Sequence, residues 1–348
     1  MTMRFATDEE ISQWDELITQ NPDGGNVFQS RQFGETKRAN NWAPRYIITD
    51  TVAITVLEKS VPLHGTFWYI PKGPGVNDIT ALLQILPQLK EFAASNGVFA
   101  VKIEPEVLEN SETTAQLLKF GLVRSRTVQP NSSTVVIDLA PPLEDVMAAF
   151  NQKGRHAIHR AERDGVTAKP VALTDENMRI MFDLLTETAV GRFETSVRSY
   201  DYYKQFWQNF AQDDKGSLFF AYLDGAVVAA AYSMYVGKKG LYKDGASVRE
   251  KPAYGASHRL QWEIITWMKQ RGVESYDLCG APHSSAVNDA SDHFYGMGKF
   301  KTSFNKHITD YIGAYDIIVN PPKYALWQKI GQRLALSLSY RLKHRQWF

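Results

Sequence analysis

The sequence predicts an α/β protein built from two tandem units with mixed sheets. A possible helix cap followed by acidic residues occurs at Thr7 and again at Thr174. An amphipathic helix, a Gly-Val turn and a strand occupy residues 82–103 and recur at residues 259–278. Glycine suits the position just after a helix C-terminus. Because both features recur in the same order, we interpret the chain as a duplicated unit.

The remaining elements fit one unit design. Asp224-Gly225 separates two apolar runs and predicts a tight hairpin between strands at 218–223 and 226–235. Further strand-like runs occupy residues 45–49, 52–57 and 134–139. The order of helix, hairpin, strand, helix and strand is the one expected of an acyltransferase unit with a mixed sheet.

Breaks in the pattern predict the domain boundaries. Pro141-Pro142 should end the first unit, and one helix over 143–163 should lead into the second. Small and polar residues over 284–298 predict a loop near a site. The sequence therefore predicts domains at 1–142 and 143–315, and a helical segment at 316–348 that packs back on the first domain.

Composition narrows the class of protein. The 348 residues are 44% hydrophobic and 22% charged, with a net charge of +1, which is typical of a globular chain. A single cysteine excludes an intrachain disulfide and fits a reducing compartment. The N-terminus lacks a signal-peptide pattern, so we expect a cytoplasmic protein. The near-neutral charge disfavours a duplex-coating protein but allows a local basic patch for one end of an RNA.

Six segments together resemble the FemABX family along nearly the whole chain. They are Val27–Lys37 followed by Trp42, Tyr69–Pro74, Val101–Pro105, Tyr242–Ser247, Tyr276–Gly280 and Gly298–Lys301. Their order and spacing carry the resemblance. In one segment Glu104 replaces the aspartate usual in the family.

The resemblance implies two GNAT-like acyltransferase domains and an aminoacyl-tRNA donor. The acceptor would be the stem-peptide diamino acid of a peptidoglycan precursor, either UDP-MurNAc-pentapeptide or lipid II, which yields an interpeptide bridge. The resemblance implies no cofactor, and we expect a monomer. The chain runs from Arg163 through Asp164-Gly165 into the next strand, which leaves no room for the coiled-coil helical hairpin of some members. It therefore resembles the compact members of the family.

The resemblance also implies a catalytic pair. Phe300-Lys301 matches the Phe-Lys pair that the family places near the reacting centre, so Lys301 is our candidate for stabilising the oxyanion. A surface lysine beside a core phenylalanine is the alternative. The proton acceptor stays open between the RNA, a water molecule, Asp277 and Glu104.

The acceptor's pyrophosphate requires cations and stacking surfaces. Lys37 and Arg198 resemble the phosphate-binding pair of the family, and Arg198 and Tyr202 would share a face if their segment is helical. Solvated charges on helices are the alternative. Further candidates for the binding groove, each of which could instead be a core residue, are Trp42, Tyr69, Lys72 and Tyr242.

A basic stretch is the candidate tRNA contact. It contains Lys153, Arg155, Arg160 and Arg163, with two histidines between them. A solvated helix face explains the same pattern. The basic, aromatic residues 340–348 could contact RNA or an anionic inner-membrane surface, or could simply pack.

Several other chemistries are disfavoured. His283 and His293 lack zinc-site spacing, and Cys279 lacks a histidine motif that would make it a nucleophile. We therefore expect no metal. Three alternative functions stay open: aminoacyl transfer to a small-molecule amine, non-catalytic binding of a wall precursor, and acetyl transfer from acetyl-CoA.

Overall fold

A computed structural model describes residues 2–129, 132–190, 197–248, 253–333, 335 and 347. The chain forms two compact units. Unit 1 combines Met1–Ser132 with Asp310–Phe348, and unit 2 is Ser133–Thr309.

Unit 1 contains a seven-stranded sheet in the order β1-β2-β3-β4-β5-β15-β6. Its strands are β1 (Met3–Phe5), β2 (Ala43–Thr49), β3 (Ala53–Val61), β4 (Gly65–Ile70), β5 (Val98–Ile103), β6 (Val123–Ser125) and β15 (Ala314–Ile318). Neighbouring strands are antiparallel except for the parallel pair β4 and β5.

Helices cover both faces of this sheet. They are α1 (Asp8–Ser12), α2 (Trp14–Thr19), α3 (Arg31–Arg38), α4 (Ile79–Ser95), α5 (Ser111–Lys119) and α12 (Pro321–Leu326), which continues as a π-helical turn, Trp327–Gly331. Leu82 and Leu89 of α4 enter an aliphatic core with Trp68 and Val101. The opposite face of the sheet is dominated by aromatic rings.

Unit 2 contains a six-stranded sheet in the order β8-β13-β12-β11-β10-β9. Its elements, in chain order, are β7 (Ser133–Thr134), β8 (Val136–Asp138), α6 (Leu143–Ala149), α7 (Gln152–Arg163), β9 (Thr167–Val171), α8 (Asp175–Ala189), α9 (Tyr200–Ala211), β10 (Gly216–Leu223), β11 (Ala226–Val236), β12 (Lys239–Ser247), α10 (Ala256–Gln270), β13 (Ser275–Asp277) and α11 (Tyr295–Lys301). The short strand β14 (Thr309–Asp310) follows. Only β12 and β13 pair in parallel within the described six-stranded sheet.

The two sheets repeat one topology, as the sequence predicts. In each unit a helix connects the parallel pair: α4 joins β4 to β5, and α10 joins β12 to β13. The turns after these helices place Gly97 at φ 71° and Gly272 at φ 75°. Such angles favour glycine, which explains why the Gly-Val signal recurs.

The predicted caps and hairpin are also present. The Thr7 hydroxyl accepts from the Glu10 N–H, with a reciprocal bond from the Thr7 N–H to the Glu10 carboxylate. The Thr174 hydroxyl caps α8 by accepting from the Asn177 N–H, without a reciprocal bond. Asp224 and Gly225 have φ angles of 51° and 80°, which match the tight turn expected between β10 and β11.

Two local predictions need correction. The helix predicted over 143–163 is two helices, because Phe150 adopts an extended backbone and Asn151 caps α7 through the N–H of Gly154. The loop predicted over 284–298 ends early, because α11 begins at Tyr295.

The domain boundaries also differ from those predicted at 142 and 315. Strand β8 pairs with β13 and therefore belongs to unit 2. Strand β15 inserts between β5 and β6 and therefore belongs to unit 1. Proline and composition signals report only local breaks, whereas these boundaries depend on pairing between distant strands.

The C-terminal segment contributes aromatic rings to unit 1. The ring of Trp327 lies 5.7 Å from that of Phe67, and the ring of Trp347 lies 5.0 Å from that of Trp42. The Trp347 carbonyl accepts hydrogen bonds from Trp42 Nε1 at 3.0 Å and from Lys59 Nζ at 2.8 Å. Over the ranges that the structure describes, no helix has the length and apolar character needed to span a membrane.

A buried ion pair fixes β15 in the sheet and gives the first prediction. Lys102 Nζ on β5 lies 3.0 Å from Asp316 Oδ1 on β15, and both side chains are buried. Removing one partner leaves an unpaired buried charge, so Lys102→Met or Asp316→Leu should each lower the free energy of unfolding by about 3–5 kcal/mol. Chemical denaturation measures this effect. The double variant should be more stable than either single variant; a loss equal to the sum of the two single losses would show that the pair is not coupled.

Candidate active site

In unit 2, the parallel strands β12 and β13 separate at a defined position. Their pairing ends at Leu241 and Asp277. Tyr242 and the residues after Asp277 therefore lie where the two strands part. The carboxyl ends of parallel strands are a common place for ligand sites in α/β sheets.

The chain leaves β13 through a left-handed turn. Cys279 and Gly280 have φ angles of 58° and 43°, and the first of these is unusual for a residue with a Cβ. The Asp277 carboxylate accepts from the Cys279 N–H at 2.6 Å and from the Thr134 hydroxyl, which braces the turn. The turn directs two successive carbonyl groups toward α11.

Those carbonyls hold the predicted catalytic lysine. Lys301 Nζ donates to the carbonyl oxygens of Cys279 and Gly280, the latter at 2.7 Å, and lies 5.9 Å from the centre of the Tyr242 ring. The Lys301 side chain is buried, and this burial lowers the pKa of its ammonium group. Lys301 is thus a fixed, buried cation and not the surface lysine of the alternative interpretation.

Close packing holds α11 against the turn. A Cβ at Gly298 would lie 2.6 Å from Pro282 Cδ, so only glycine permits this approach. Phe300 packs edge-on against the His258 ring of α10 at 4.8 Å. The His258 ring also forms a hydrogen bond with Ser303 Oγ at 3.0 Å. Burial, and to a smaller extent the charge of Lys153, lowers the pKa of His258 to about 4. Phe300 therefore positions the helix that carries Lys301.

A buried polar network holds Tyr242. The Tyr276 hydroxyl donates to Gln261 Oε1 at 2.9 Å and lies 3.0 Å from Ser233 Oγ. The Gln261 side chain also bonds the Tyr242 hydroxyl, whose pKa is raised by burial and by the charge of Asp244. The Tyr242 ring lies directly over Gly245, where any Cβ would clash with it. The Tyr-x-x-Gly spacing in the sequence is therefore a packing requirement.

Arg198 and Tyr202 are in contact, although by a different geometry from the one predicted. Helix α9 begins at Tyr200 with Ser199 as its cap, so Arg198 precedes the helix. Its guanidinium nevertheless lies 4.6 Å from the centre of the Tyr202 ring. Both side chains are partly exposed.

Unit 1 has charged residues at the equivalent position. Strands β4 and β5 end together at Ile70 and Ile103. Lys72 and Glu104 follow directly, and both are buried. Lys72 Nζ lies 4.6 Å from the Tyr311 ring, and burial raises the pKa of Glu104 despite a hydrogen bond from Tyr69. A small cavity here is lined by Lys72, Glu104, Pro105, Thr127, Gln129, Ser132, Tyr311 and Gly313.

Gln29 positions Lys72, and it was not among the residues predicted from the sequence. The Gln29 amide donates to the Pro71 carbonyl at 2.6 Å and to the Thr55 carbonyl at 3.1 Å, and it accepts from the Thr55 N–H at 2.8 Å. Lys72 itself has a left-handed φ of 50°. Gln29 lies within the Val27–Lys37 segment, but no local signal separates it from an exposed glutamine.

Three candidates of unit 1 are buried residues. Lys37 lies over the Phe33 ring at 5.1 Å and is 4% exposed. The Tyr69 hydroxyl donates to Glu104 at 2.5 Å and accepts from Gln129 at 3.0 Å. The Trp42 ring is covered by Trp347, so its position favours a packing role over the predicted groove role.

Known proteins match both units. Residues 7–120 match the FemAB family, and residues 148–290 match the acetyltransferase (GNAT) domain. A lipid II:glycine glycyltransferase of Staphylococcus aureus (strain MRSA252) is 21% identical over 419 aligned positions, which include 95% of this chain and 97% of that protein. Its counterpart in Staphylococcus haemolyticus (strain JCSC1435) is 22% identical over 412 positions, which include 94% of this chain and 97% of the counterpart. The crystal structure of FemX matches 95% of this chain over 100% of the FemX chain, with a TM-score of 0.79 and 20% sequence identity. The first unit thus matches the FemAB family, and the chain shares its two-unit GNAT-like fold with FemX.

The chain is therefore an acyltransferase with two GNAT-like units. The alignment of 419 positions exceeds the 348 residues of the chain, so the glycyltransferase has segments that the chain lacks. Helix α7 ends at Arg163 and β9 begins at Thr167, so no helical hairpin is inserted there.

The basic stretch predicted to contact tRNA lies on α7. Lys153, Arg160 and Arg163 are exposed. Arg155 differs, because its guanidinium donates to the carbonyls of Ala148 and Phe150 at the end of α6. Arg155 therefore joins two helices and is a weaker candidate for RNA contact than the other three.

Gly298 gives the second prediction. Gly298→Ala should displace α11 from Pro282 and reduce the acyl-transfer rate of the enzyme by about tenfold or more, since a shift of about 1 Å at a reacting group is costly. Gly296→Ala on the same helix is the control, because a Cβ there meets no atom within 4 Å. Steady-state rates and thermal unfolding of both variants check this, and equal rates would refute the role of close packing.

Proposed function

We propose that this chain transfers an amino acid from aminoacyl-tRNA to the stem-peptide diamino acid of a peptidoglycan precursor. The precursor would be UDP-MurNAc-pentapeptide or lipid II, and the product an interpeptide bridge. Two related proteins, each matched over 97% of its length, are named lipid II:glycine glycyltransferases. The observation that carries the proposal is the buried Lys301 ammonium beside Tyr242, where β12 and β13 part.

The chemistry is attack of an amine on an ester. The acceptor amine forms a bond to the ester carbonyl carbon, and a tetrahedral intermediate with an anionic oxygen results. The bond to the 3′ oxygen of the tRNA then breaks, and the amine loses a proton to the RNA or to water. The ester is already activated, so the enzyme must mainly align the reactants and stabilise the anionic oxygen.

Lys301 can supply that stabilisation. An ammonium group has three N–H donors, and the two carbonyls of the left-handed turn accept two of them. The third can therefore donate to the anionic oxygen as charge develops. Because the carbonyls already fix the ammonium, little reorganisation is needed during the reaction.

The pyrophosphate of the acceptor would be held by cations. Arg198, stacked on Tyr202, presents a planar guanidinium suited to phosphate oxygens. We assign Lys37 and Lys72 of unit 1 the same role as point charges, and Tyr242 a contact beside the reacting group. These assignments rest on the resemblance to the family; Lys37 and Lys72 are buried within unit 1.

The donor would contact α7. Lys153, Arg160 and Arg163 are exposed there, and phosphates of an acceptor stem would meet them with a salt-dependent affinity. Arg160 also lies 4.5 Å from the Tyr254 ring, which orients its guanidinium.

The direct test mixes the purified protein with a panel of charged tRNAs and with both precursors, and the products are weighed. Addition of one aminoacyl residue to a precursor is expected. Aminoacylation of a small amine alone, or acetylation from acetyl-CoA, would refute the proposal.

Lys301 gives the third prediction. Lys301→Met should reduce the transfer rate by about 10²–10³-fold, the range for losing an oxyanion donor, while leaving precursor affinity within a factor of two to three. The protonated lysine is the active form and its pKa is lowered, so the rate should fall as the pH rises through that pKa. Lys301→Arg should move this decline to higher pH, because arginine stays charged. A pH–rate profile under single-turnover conditions checks both results, and an unshifted decline in Lys301→Arg would contradict the role.

The phosphate contacts give the fourth prediction. Lys37→Ala and Arg198→Ala should each weaken precursor binding by about 1–3 kcal/mol, the range for charge-assisted hydrogen bonds. Arg38→Ala and Arg179→Ala are matched controls, because those exposed arginines pair with Glu35 and Asp175 respectively. Calorimetry with UDP-MurNAc-pentapeptide measures the affinities. Unchanged binding in both test variants would refute the assignment.

A further inference from the structure

Unit 1 exposes large apolar side chains around its C-terminal helix. Leu63, at the tip of the β3–β4 hairpin, is 93% exposed, and its φ of 67° is unusual for leucine. Leu326 and Ile330 are 41% and 52% exposed. They project away from Tyr324, Trp327 and Gly331, which are the buried positions of this helix.

The hairpin and the helix are in direct contact. The His64 ring lies 5.7 Å from the Trp327 ring, and a Cβ at Gly331 would lie 2.8 Å from His64 Nε2. A Cβ at Gly65 would lie 3.4 Å from Lys323 Nζ. The exposed leucine and the exposed helix residues are therefore parts of one continuous surface.

This surface is also basic. Lys323, Lys329 and Arg333 are exposed on the same helical segment. The sequence contains no aspartate or glutamate after Asp316, whereas the whole chain has 39 basic and 38 acidic residues. We define the hairpin–helix surface as Leu63, Lys323, Leu326, Lys329, Ile330 and Arg333.

We propose that the hairpin–helix surface docks the enzyme on an anionic phospholipid bilayer. Apolar side chains on a rigid support can enter the boundary between headgroups and acyl chains, while lysine and arginine attract anionic headgroups. RNA would meet the basic residues but would leave the three aliphatic side chains in water, so the lipid surface is the better match. Three such side chains give reversible attachment, as a peripheral enzyme requires.

The inference deepens the proposed function, on which its second experiment rests. A lipid-linked precursor is confined to a bilayer, so docking raises the local concentration of enzyme around that acceptor. A soluble nucleotide precursor gains nothing from docking. Docking therefore favours the lipid-linked acceptor over the soluble one.

The first experiment is co-sedimentation of the full chain with vesicles of phosphatidylcholine alone and with vesicles that also contain phosphatidylglycerol. The wild type should bind the anionic vesicles, and added salt should weaken the binding. The Leu63→Ser, Ile330→Ser double variant should bind at least about tenfold more weakly. Each aliphatic side chain that leaves water for the bilayer contributes to the free energy of binding. Lys329→Gln with Arg333→Gln should lower binding to the anionic vesicles by about tenfold or more.

Leu118→Ser is the control, because Leu118 lies on α5 of the same unit and is 53% exposed. It should leave vesicle binding unchanged. Equal vesicle binding by the wild type and the Leu63→Ser, Ile330→Ser variant would overturn the proposal. So would a loss of tRNA binding in the charge variant without a loss of vesicle binding.

The second experiment compares transfer to lipid II in vesicles with transfer to UDP-MurNAc-pentapeptide. The Leu63→Ser, Ile330→Ser variant should lose about tenfold in rate on lipid II relative to the wild type and should keep the wild-type rate on the nucleotide. Equal loss on both acceptors would overturn the docking role. If the wild type transfers to neither acceptor, the proposed function fails, and vesicle binding still decides the docking inference.

Discussion

The contact between the Lys301 ammonium and two main-chain carbonyls is the constraint on which the candidate site depends. It requires the left-handed turn at Cys279 and Gly280, which in turn is braced by Asp277. It also requires α11 to approach that turn closely, as Gly298 permits. Helix α7 supports the far end of α11, since Asn151 bonds the carbonyls of Thr302 and Ser303. A change in any of these supports should therefore alter the position of one nitrogen atom.

Duplication has given the two units the same framework but different chemistry at the equivalent place. In each unit a parallel pair of strands parts, and the residues that follow are polar. In unit 1, the buried Lys72 has a carboxyl group, Glu104, in its surroundings, and Tyr69 and Gln129 hold that carboxyl group. In unit 2, the hydrogen-bond acceptors of Lys301 are carbonyl oxygens. The first arrangement suits a structural or binding role, and the second keeps a net positive charge at the site.

The sequence predicted the features that depend on a few neighbouring residues. Caps at Thr7 and Thr174 and the glycines at 97 and 272 follow from local backbone requirements. The break at Phe150 was missed, because the helical pattern of 143–163 continues through it. The pairing of β8 with β13 and of β15 with β5 depends on contacts between distant segments, which periodicity cannot reveal. The same is true of the hydrogen-bond partners of Lys301. Lys301 itself was found only through the resemblance to the family.

The choice of carbonyls over a carboxylate as partners for Lys301 has a chemical reason. A carboxylate bonded directly to the ammonium would neutralise it and would repel a developing oxyanion. Carbonyl dipoles satisfy the donors while leaving the full positive charge. Burial lowers the pKa of Lys301, and the charges of Cys279 and Asp277 oppose this lowering without reversing it. The Asp277 carboxylate itself accepts from Thr134 and from the Cys279 N–H. The Asp277 carboxylate therefore favours the protonated lysine without occupying the third N–H donor, which the proposed oxyanion contact would use.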